Sequence, residues 1–502
     1  MDRSPRNCAK TDKIEVETGT DRISALPNSL IVEILCKIPI TDACTTTILS
    51  KRWQNMWTCI HDLNCYRLKN STGWSAKRFI SFIDNALPLL TSSKIEGFTL
   101  HFRSNIALSN YSSKLDKWLQ IVLKKKVENF HLDLWYYHDS MYLCFNCDRY
   151  SLPQDLCRSS SLLNLKCQYC RIPEDRILNW TSLKSLTLTS LLLSDEHMKQ
   201  ITSNCHQLES LKLCDFCGFH RLHLTSPNCT RLELSNHTHP LNYMGDECYF
   251  EIVAPYVQHL KISGDFVGVE IRLGDLSSLI HADLTYHWYD LHGLDDVINK
   301  SIVKDHLTSV ACANDLIISS LYIEVWDFNL VKSSTDESTS ISCIDDFHVD
   351  IAKRRCSITV VRVQTMTINS WTSKYTFFGI DRLLSSTPCL GNLTIHLKKD
   401  STFLNYWCED MDMLEDIFEG SLRNLKILKV ILQWSLIINH MTTEQTKVMK
   451  YLLERAKNLE KLVIVPTNSG CSKMIKSLLA LPIVSNTTLL VSVEPLADVE
   501  YE

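Results

Sequence analysis

The feature that most constrains this chain is a pattern that keeps returning from about residue 120 onward: apolar, two variable residues, apolar, one variable residue, apolar. Clear copies are Val127/Phe130/Leu132, Leu162/Leu165/Cys167, Leu183/Leu186/Leu188, Leu208/Leu211/Leu213, Cys229/Leu232/Leu234 and Val257/Leu260/Ile262. Weaker ones follow at Leu279/Ala282/Leu284, Val363/Met366/Ile368, Leu390/Leu393/Ile395, Leu425/Leu428/Val430 and Leu459/Leu462/Ile464. Side chains alternate across a strand, so each copy lays apolar residues on one face, and neighbouring copies can stack into a parallel sheet over one core. A single copy could not fold alone. Between two of them, DEHMKQITSNCHQL reads as a helix, with Ser194 as its N-cap and Met198 and Ile201 on one face.

The N-terminal stretch has a different period. Pro27 suits the first turn of a helix that Pro39 stops, and Leu30, Ile31, Ile34, Leu35 and Ile38 form an apolar stripe between them. Thr41 is placed to cap a second helix. Trp53, Met56 and Trp57, at i, i+3 and i+4, predict a third that locks the other two. So small a unit is marginal alone and needs a partner or the following domain.

These residues carry a resemblance. DRISALPNSLIVEILCKIPITDACTTTILSKRWQNMW resembles the plant F-box, with its L-P-x-x-L-x-x-x-I-L opening and its S-K-R-W signature. The resemblance implies docking onto a Skp-type adaptor, and through it onto a cullin, with the ubiquitin chemistry done by other subunits. The adaptor-binding residues it implies are Leu26, Pro27, Leu30, Ile34, Leu35, Ile38, Pro39, Leu49 and Trp53. Thr45 to Thr47 depart from the pattern, since relatives often carry a basic residue before Thr-Ser. Segments such as LTSPNCTRLELS and IVAPYVQHLKISG resemble the degenerate leucine-rich repeats of the same proteins. LKILKVILQWSLIINHMTTEQTKVMKYLLERAKNLEKLVIV resembles their C-terminal FBD region. In it Thr442 and Gln445 suit a capping box, with Val448, Leu452, Ala456 and Leu459 as the buried stripe.

Other chemistries find little support. Basic residues number 52 against 57 acidic, for a net charge of -5, which disfavours a polyanion as main partner. The N-terminus lacks an apolar leader and no stretch is long enough for a membrane span, so an intracellular, soluble protein is expected, cytoplasmic or nuclear. Lys124 to Lys126 and Lys353 to Arg355 are short basic runs that read as solvated surface. No H-E-x-x-H, G-x-S-x-G, P-loop or G-x-G-x-x-G occurs, so no catalytic residue is assigned and no cofactor is expected. Three C-x-x-C pairs stand at Cys144/Cys147, Cys167/Cys170 and Cys214/Cys217. Cys167 and Cys170 hold apolar positions of a repeat, so buried structural thiols are favoured over zinc, with the metal left as an alternative. His220 and His223 read as residues along a repeat strand rather than as ligands.

The expected architecture is α/β: a three-helix F-box followed by an irregular leucine-rich-repeat solenoid, a horseshoe. The expected boundaries are a tail at 1–20, F-box at 21–62, repeats at 63–400, FBD-like repeats at 401–485 and a tail at 486–502. VKSSTDESTSIS reads as a solvated loop. The function implied is client recognition for a ubiquitin ligase of the Skp-cullin-F-box kind, with an unidentified protein client. The alternative is a repeat scaffold that binds partners without ubiquitin transfer. The two modules are expected to have separate cores, so that replacing Leu26 and Pro27 would end adaptor binding and leave the repeats folded.

Overall fold

In the computed structural model, the residues described are 23, 25–67, 75–102, 111–135, 149–237, 249–266, 269–287, 296–324, 362–371, 380, 383–384, 386–398, 422, 424–433, 452–466 and 487–491. The tail at 1–20, Cys144/Cys147, the VKSSTDESTSIS segment, Lys353 to Arg355, Thr442, Gln445 and Val448 lie outside them.

The chain opens with helix α1, Asn28–Cys36, entered through Pro27 at φ -59 and ψ 150. Proline there sacrifices no intrahelical hydrogen bond. Helix α2, Ile40–Thr45, is entered in the same way through Pro39, so Thr41 is not its cap. Thr41 lies inside the helix, buried, with its hydroxyl on the Asp42 carboxylate at 3.3 Å. Proline took the capping place because its fixed φ already suits the entry. The predicted third helix is reduced to two 3-10 turns, Thr46–Ile48 and Met56–Cys59, while Trp53 between them is buried.

Strand β1, Asp62–Arg67, follows directly. The remaining elements in chain order are α3 Ala76–Ala86, β2 Gly97–Phe102, α4 Ser112–Lys124, β3 Asn129–Asp133, β4 Tyr150–Ser151, α5 Gln154–Cys157, β5 Asn164–Gln168, β6 Cys170–Arg171, β7 Ser185–Thr189 and α6 Asp195–Asn204. Next come β8 Ser210–Cys214, β9 Arg221–His223, β10 Arg231–Asn236, β11 Tyr249–Val253, β12 His259–Asp265, β13 Glu270–Leu273, β14 His281–His287, α7 Asp296–Ser309, β15 Asp315–Ser319 and α8 Leu321–Glu324. The last are β16 Thr365–Trp371, β17 Asn392–Lys398, β18 Ile427–Gln433, β19 Lys461–Pro466 and β20 Thr488–Val491.

Fifteen of these strands form one parallel sheet in sequence order, β1-β2-β3-β5-β7-β8-β10-β12-β14-β15-β16-β17-β18-β19-β20. A second parallel sheet, β13-β11-β9, and a pair, β4-β6, are built from residues further along each repeat. Register aligns copy with copy: Leu186 faces Leu211, Leu211 faces Leu232, and Leu232 faces Leu260. Every residue of the eleven triplets read from the sequence is buried. Three further strands use the same spacing with less obvious residues: Ile60/Leu63/Cys65, Ile95/Phe98/Leu100 and Ala313/Leu316/Ile318 are all buried as well. The sheet therefore begins at residue 62, ahead of the first triplet recognised from spacing at Val127.

A repeated backbone device ends the strands. Tyr169, Ser190 and Asp215 each follow a strand with positive φ of 56, 54 and 48 degrees. Their N–H groups donate to Thr189, Cys214 and Ser235 of the next strand at 3.1, 2.8 and 2.8 Å. The bonds offset the strain of a left-handed non-glycine residue. Gly264, φ 89, closes β12 where a Cβ would collide with the Asn236 carbonyl. Helix α6 opens as expected on Ser194, whose hydroxyl accepts from His197 N while the His197 ring accepts from Ser194 N.

The expectation of separate cores fails. Ile31, Leu35, Ile40 and Trp53 belong to the same buried cluster as Leu63, Cys65 and the strands beyond. Helices α1 and α2 pack on β1, and Asn64 Nδ2 donates to the Cys36 carbonyl at 2.8 Å. An edge strand with an apolar inner face needs a cover, and the N-terminal helices supply it.

Candidate docking surface

Helix α1 carries more apolar surface than its core can absorb. At about 100° per residue, Leu30 and Ile34 occupy one flank of a wide apolar arc and Ile31 and Leu35 the other. Ile31 and Leu35 are buried, whereas Leu30 and Ile34 remain 48% and 47% exposed. Beyond α2, the turn at Thr46–Ile48 turns Ile48 outward at 86% exposure, with Leu49 beside it at 61%. Arg52 ties this segment to the start of α1: its Nη2 donates to the Leu26 carbonyl and its Nε to Asn28 Oδ1 at 2.9 Å. Ile23, 58% exposed, lies just before α1.

The nine residues singled out in the sequence thus separate. Pro27, Leu30, Ile34 and Leu49 face outward, and Leu35 and Trp53 are buried. Leu26 and Ile38 are partly buried against the core, and Pro39 is intermediate. Ile23 and Ile48 were missed. Ile48 follows two threonines in a 3-10 turn, where helical periodicity says nothing about direction.

Among the described residues, no metal-holding group of His, Cys, Asp or Glu accompanies these apolar side chains. Burial pushes the Cys44 thiol up to about 12 and raises Cys36, so neither is a ready thiolate. In the repeats, Cys167 lies in β5 and Cys170 in β6, and Cys170 Sγ donates to the Gln168 carbonyl at 3.2 Å. Burial raises both thiols. Among the described residues no three His, Cys, Asp or Glu side chains converge to hold a metal. His220 and His223 lie at β9, near Asp195 at 3.5 Å and Glu251 at 3.4 Å respectively. No helix among the described residues is long and apolar enough to cross a membrane.

The second exposed surface is the outer face of the long sheet, formed by strand residues between the core positions. At its start are Tyr66, stacked on His101 at 5.0 Å, and the pair His101 to Asp133 at 3.1 Å. In its middle Lys212, Glu233, Lys261 and Asp283 stand side by side on β8, β10, β12 and β14, with Lys212 and Glu233 paired at 2.9 Å.

Comparison with known proteins accounts for both regions. Residues 23–61 match the F-box domain, and residues 115–278 match the model described as FBD-associated F-box protein At5g56370, LRR repeats. The Arabidopsis thaliana F-box/LRR-repeat protein At5g02910 is 25% identical over 468 residues, 89% of this chain and 88% of its own length. Putative F-box/LRR-repeat protein At5g02930 is 25% identical over 396 residues, 77% and 74% of the two chains. Putative F-box/FBD/LRR-repeat protein At5g56810, also from Arabidopsis thaliana, is 30% identical over 276 residues, 54% and 60%. With helices of an F-box packed on a sheet that includes FBD-associated leucine-rich repeats, the chain carries the two domains of the plant F-box/LRR-repeat proteins to which it is similar.

Proposed function

We propose that this protein is the client-recognition subunit of a Skp-cullin-F-box ubiquitin ligase and performs no catalysis itself. Leu30, Ile34 and Leu49, joined by Pro27, Ile23 and Ile48, dock a Skp-type adaptor that leads to the cullin. Leu35 and Trp53 hold that surface from beneath, and Leu26, Ile38 and Pro39 shape its base. The observation that carries this reading is the divided stripe of α1, which buries Ile31 and Leu35 but leaves Leu30 and Ile34 to water. Half-exposed branched side chains on a short helix are what a partner covers, and each one sealed is worth about 1 kcal/mol or more. The outer strand face of the repeats, read as a horseshoe, recruits the client. The F-box is taken as 21–62, the repeats as 63–400 and FBD-like repeats as 401–485, in a protein of cytoplasm or nucleus.

One observation favours a second reading, a scaffold whose F-box serves stability alone: α1 and α2 cover the first strand of the sheet. Co-purification with a Skp-type adaptor separates the two. Wild type should capture adaptor, and Ile34→Asp with Ile48→Asp should lose at least tenfold in affinity while keeping its thermal transition. A folded wild type that captures no adaptor leaves the scaffold reading in place. Leu26 and Pro27 are poorer test positions, because Leu26 packs on the shared core and its carbonyl holds Arg52.

A further inference from the structure

Arg52, the third residue of the S-K-R-W signature, is not one of the apolar docking side chains, and it is only partly exposed. The surface it borders is assembled from two stretches separated in the chain. Leu30 and Ile34 come from α1, and Ile48 and Leu49 from the 3-10 turn after α2 and its end. Ile48 and Leu49 are too exposed for packing of their own to place them, so the ends of their segment must. At one end the Thr46 hydroxyl donates to the Ala43 carbonyl at 2.7 Å. At the other, Trp53 is buried in the core and Arg52 beside it reaches across to the entry of α1. Its Nη2 donates to the Leu26 carbonyl and its Nε to Asn28 Oδ1 at 2.9 Å. Among the described residues, only Arg52 hydrogen-bonds from the 46–57 segment to residues 25–38.

We propose that Arg52 is a positioning residue, whose guanidinium fixes Ile48 and Leu49 against the exposed flank of α1 so that the two stretches meet a partner as one preformed surface. The proposal rests on the adaptor-docking reading above and names what organises that site. Its two acceptors flank Pro27, at the start of the helix that carries Leu30 and Ile34. A planar guanidinium holds its donors in a rigid fork, so two bonds from it set orientation as well as distance, which a lysine ammonium does not do. A surface held in its bound arrangement before the partner arrives loses less entropy on docking and binds more tightly. Trp53 anchors the same segment to the core, so the fold survives without the fork while the turn loses its fixed place beside α1.

The test uses the full chain with Arg52→Lys, Asn28→Ala and Asn28→Asp, each read by thermal transition, by affinity for a Skp-type adaptor and by hydrogen exchange without adaptor. The amides to follow are Leu49 and Trp53, bonded to the Thr46 and Ser50 carbonyls at 3.0 Å each. Arg52→Lys should quicken their exchange and weaken adaptor binding, each about tenfold, with the thermal transition nearly unchanged. Asn28→Ala should act in the same direction by about threefold, and Asn28→Asp, which keeps an acceptor and charges it, should bind at least as well as wild type. Unchanged exchange in Arg52→Lys would overturn the proposal, as would faster exchange with adaptor affinity intact. Loss of affinity in Arg52→Lys with Asn28→Ala like wild type would also overturn it, since Arg52 would then touch the adaptor itself. If wild type captures no adaptor, the adaptor reading fails, and the exchange rates alone decide whether Arg52 holds the surface together.

Discussion

The F-box helix α1 and the repeat strands use the same residue types in opposite ways. In the strands, every core position read from the pattern is buried, whereas in α1 the apolar residues divide between core and solvent. A strand offers its side chains only two directions, so residues two places apart share a face. A helix distributes side chains around a continuous arc, and an arc wider than its contact leaves a flank exposed. Burial in one region reports stability; exposure in the other leaves apolar surface that the core does not use.

The comparison can be broken most forcefully at a strand. Leu211→Ala should cost about 2–5 kcal/mol in denaturant unfolding, because Leu211 is fully enclosed between aligned leucines. A smaller loss would mean the stacked core can collapse onto the cavity.

Next in size is a pH effect confined to the repeats. His306 is buried, its Nε2 donates to the Ile271 carbonyl at 2.6 Å, and its Nδ1 lies 3.0 Å from both the Tyr286 and Tyr322 hydroxyls. Neutral imidazole satisfies this arrangement by accepting at Nδ1, whereas a protonated ring would have no acceptor to offer. Burial holds its pKa down to about 4, below the ordinary 6.5. The unfolded chain then binds a proton that the folded chain refuses, so stability is fully present above about pH 6.5 and falls as the pH drops toward 4, by a few kcal/mol at most. His131, also held down to about 4 by burial, contributes with the same sign. Urea titrations from pH 7.5 to 4.5 should show this slope, and His306→Gln should flatten it.

Ser194→Ala should lower stability by about 1 kcal/mol, since it removes the hydroxyl that accepts from His197 N. The smallest effect belongs to the helix flank: Ile34→Ala should change unfolding by about 0.5 kcal/mol or less while weakening adaptor capture. If Ile34→Ala proved as destabilising as Leu211→Ala, the exposed flank would be core and the comparison would collapse.

Much of the fold was legible because its signal is local. Eleven triplets could be read as strands, and Ser194 as a cap, from spacing alone. The strands at Leu63, Phe98 and Leu316 were passed over because cysteine, phenylalanine and alanine replace leucine in their triplets, although the spacing is unchanged. The docking residues were less legible. Leu30 and Leu35 are alike in type and both belong to the apolar arc, yet one is half exposed and the other buried.

The order of residues therefore determined by itself that this chain stacks strands, that a helix beginning at Pro27 and a second one precede them, and which side chains of eleven strands face the sheet's core. Tertiary structure alone decided that the F-box and the first strand of the sheet share one core, and that Ile34 and Ile48 face water. Periodicity is a property of neighbours in the chain, whereas exposure depends on what other elements leave uncovered, and that is settled only when the whole sheet has assembled.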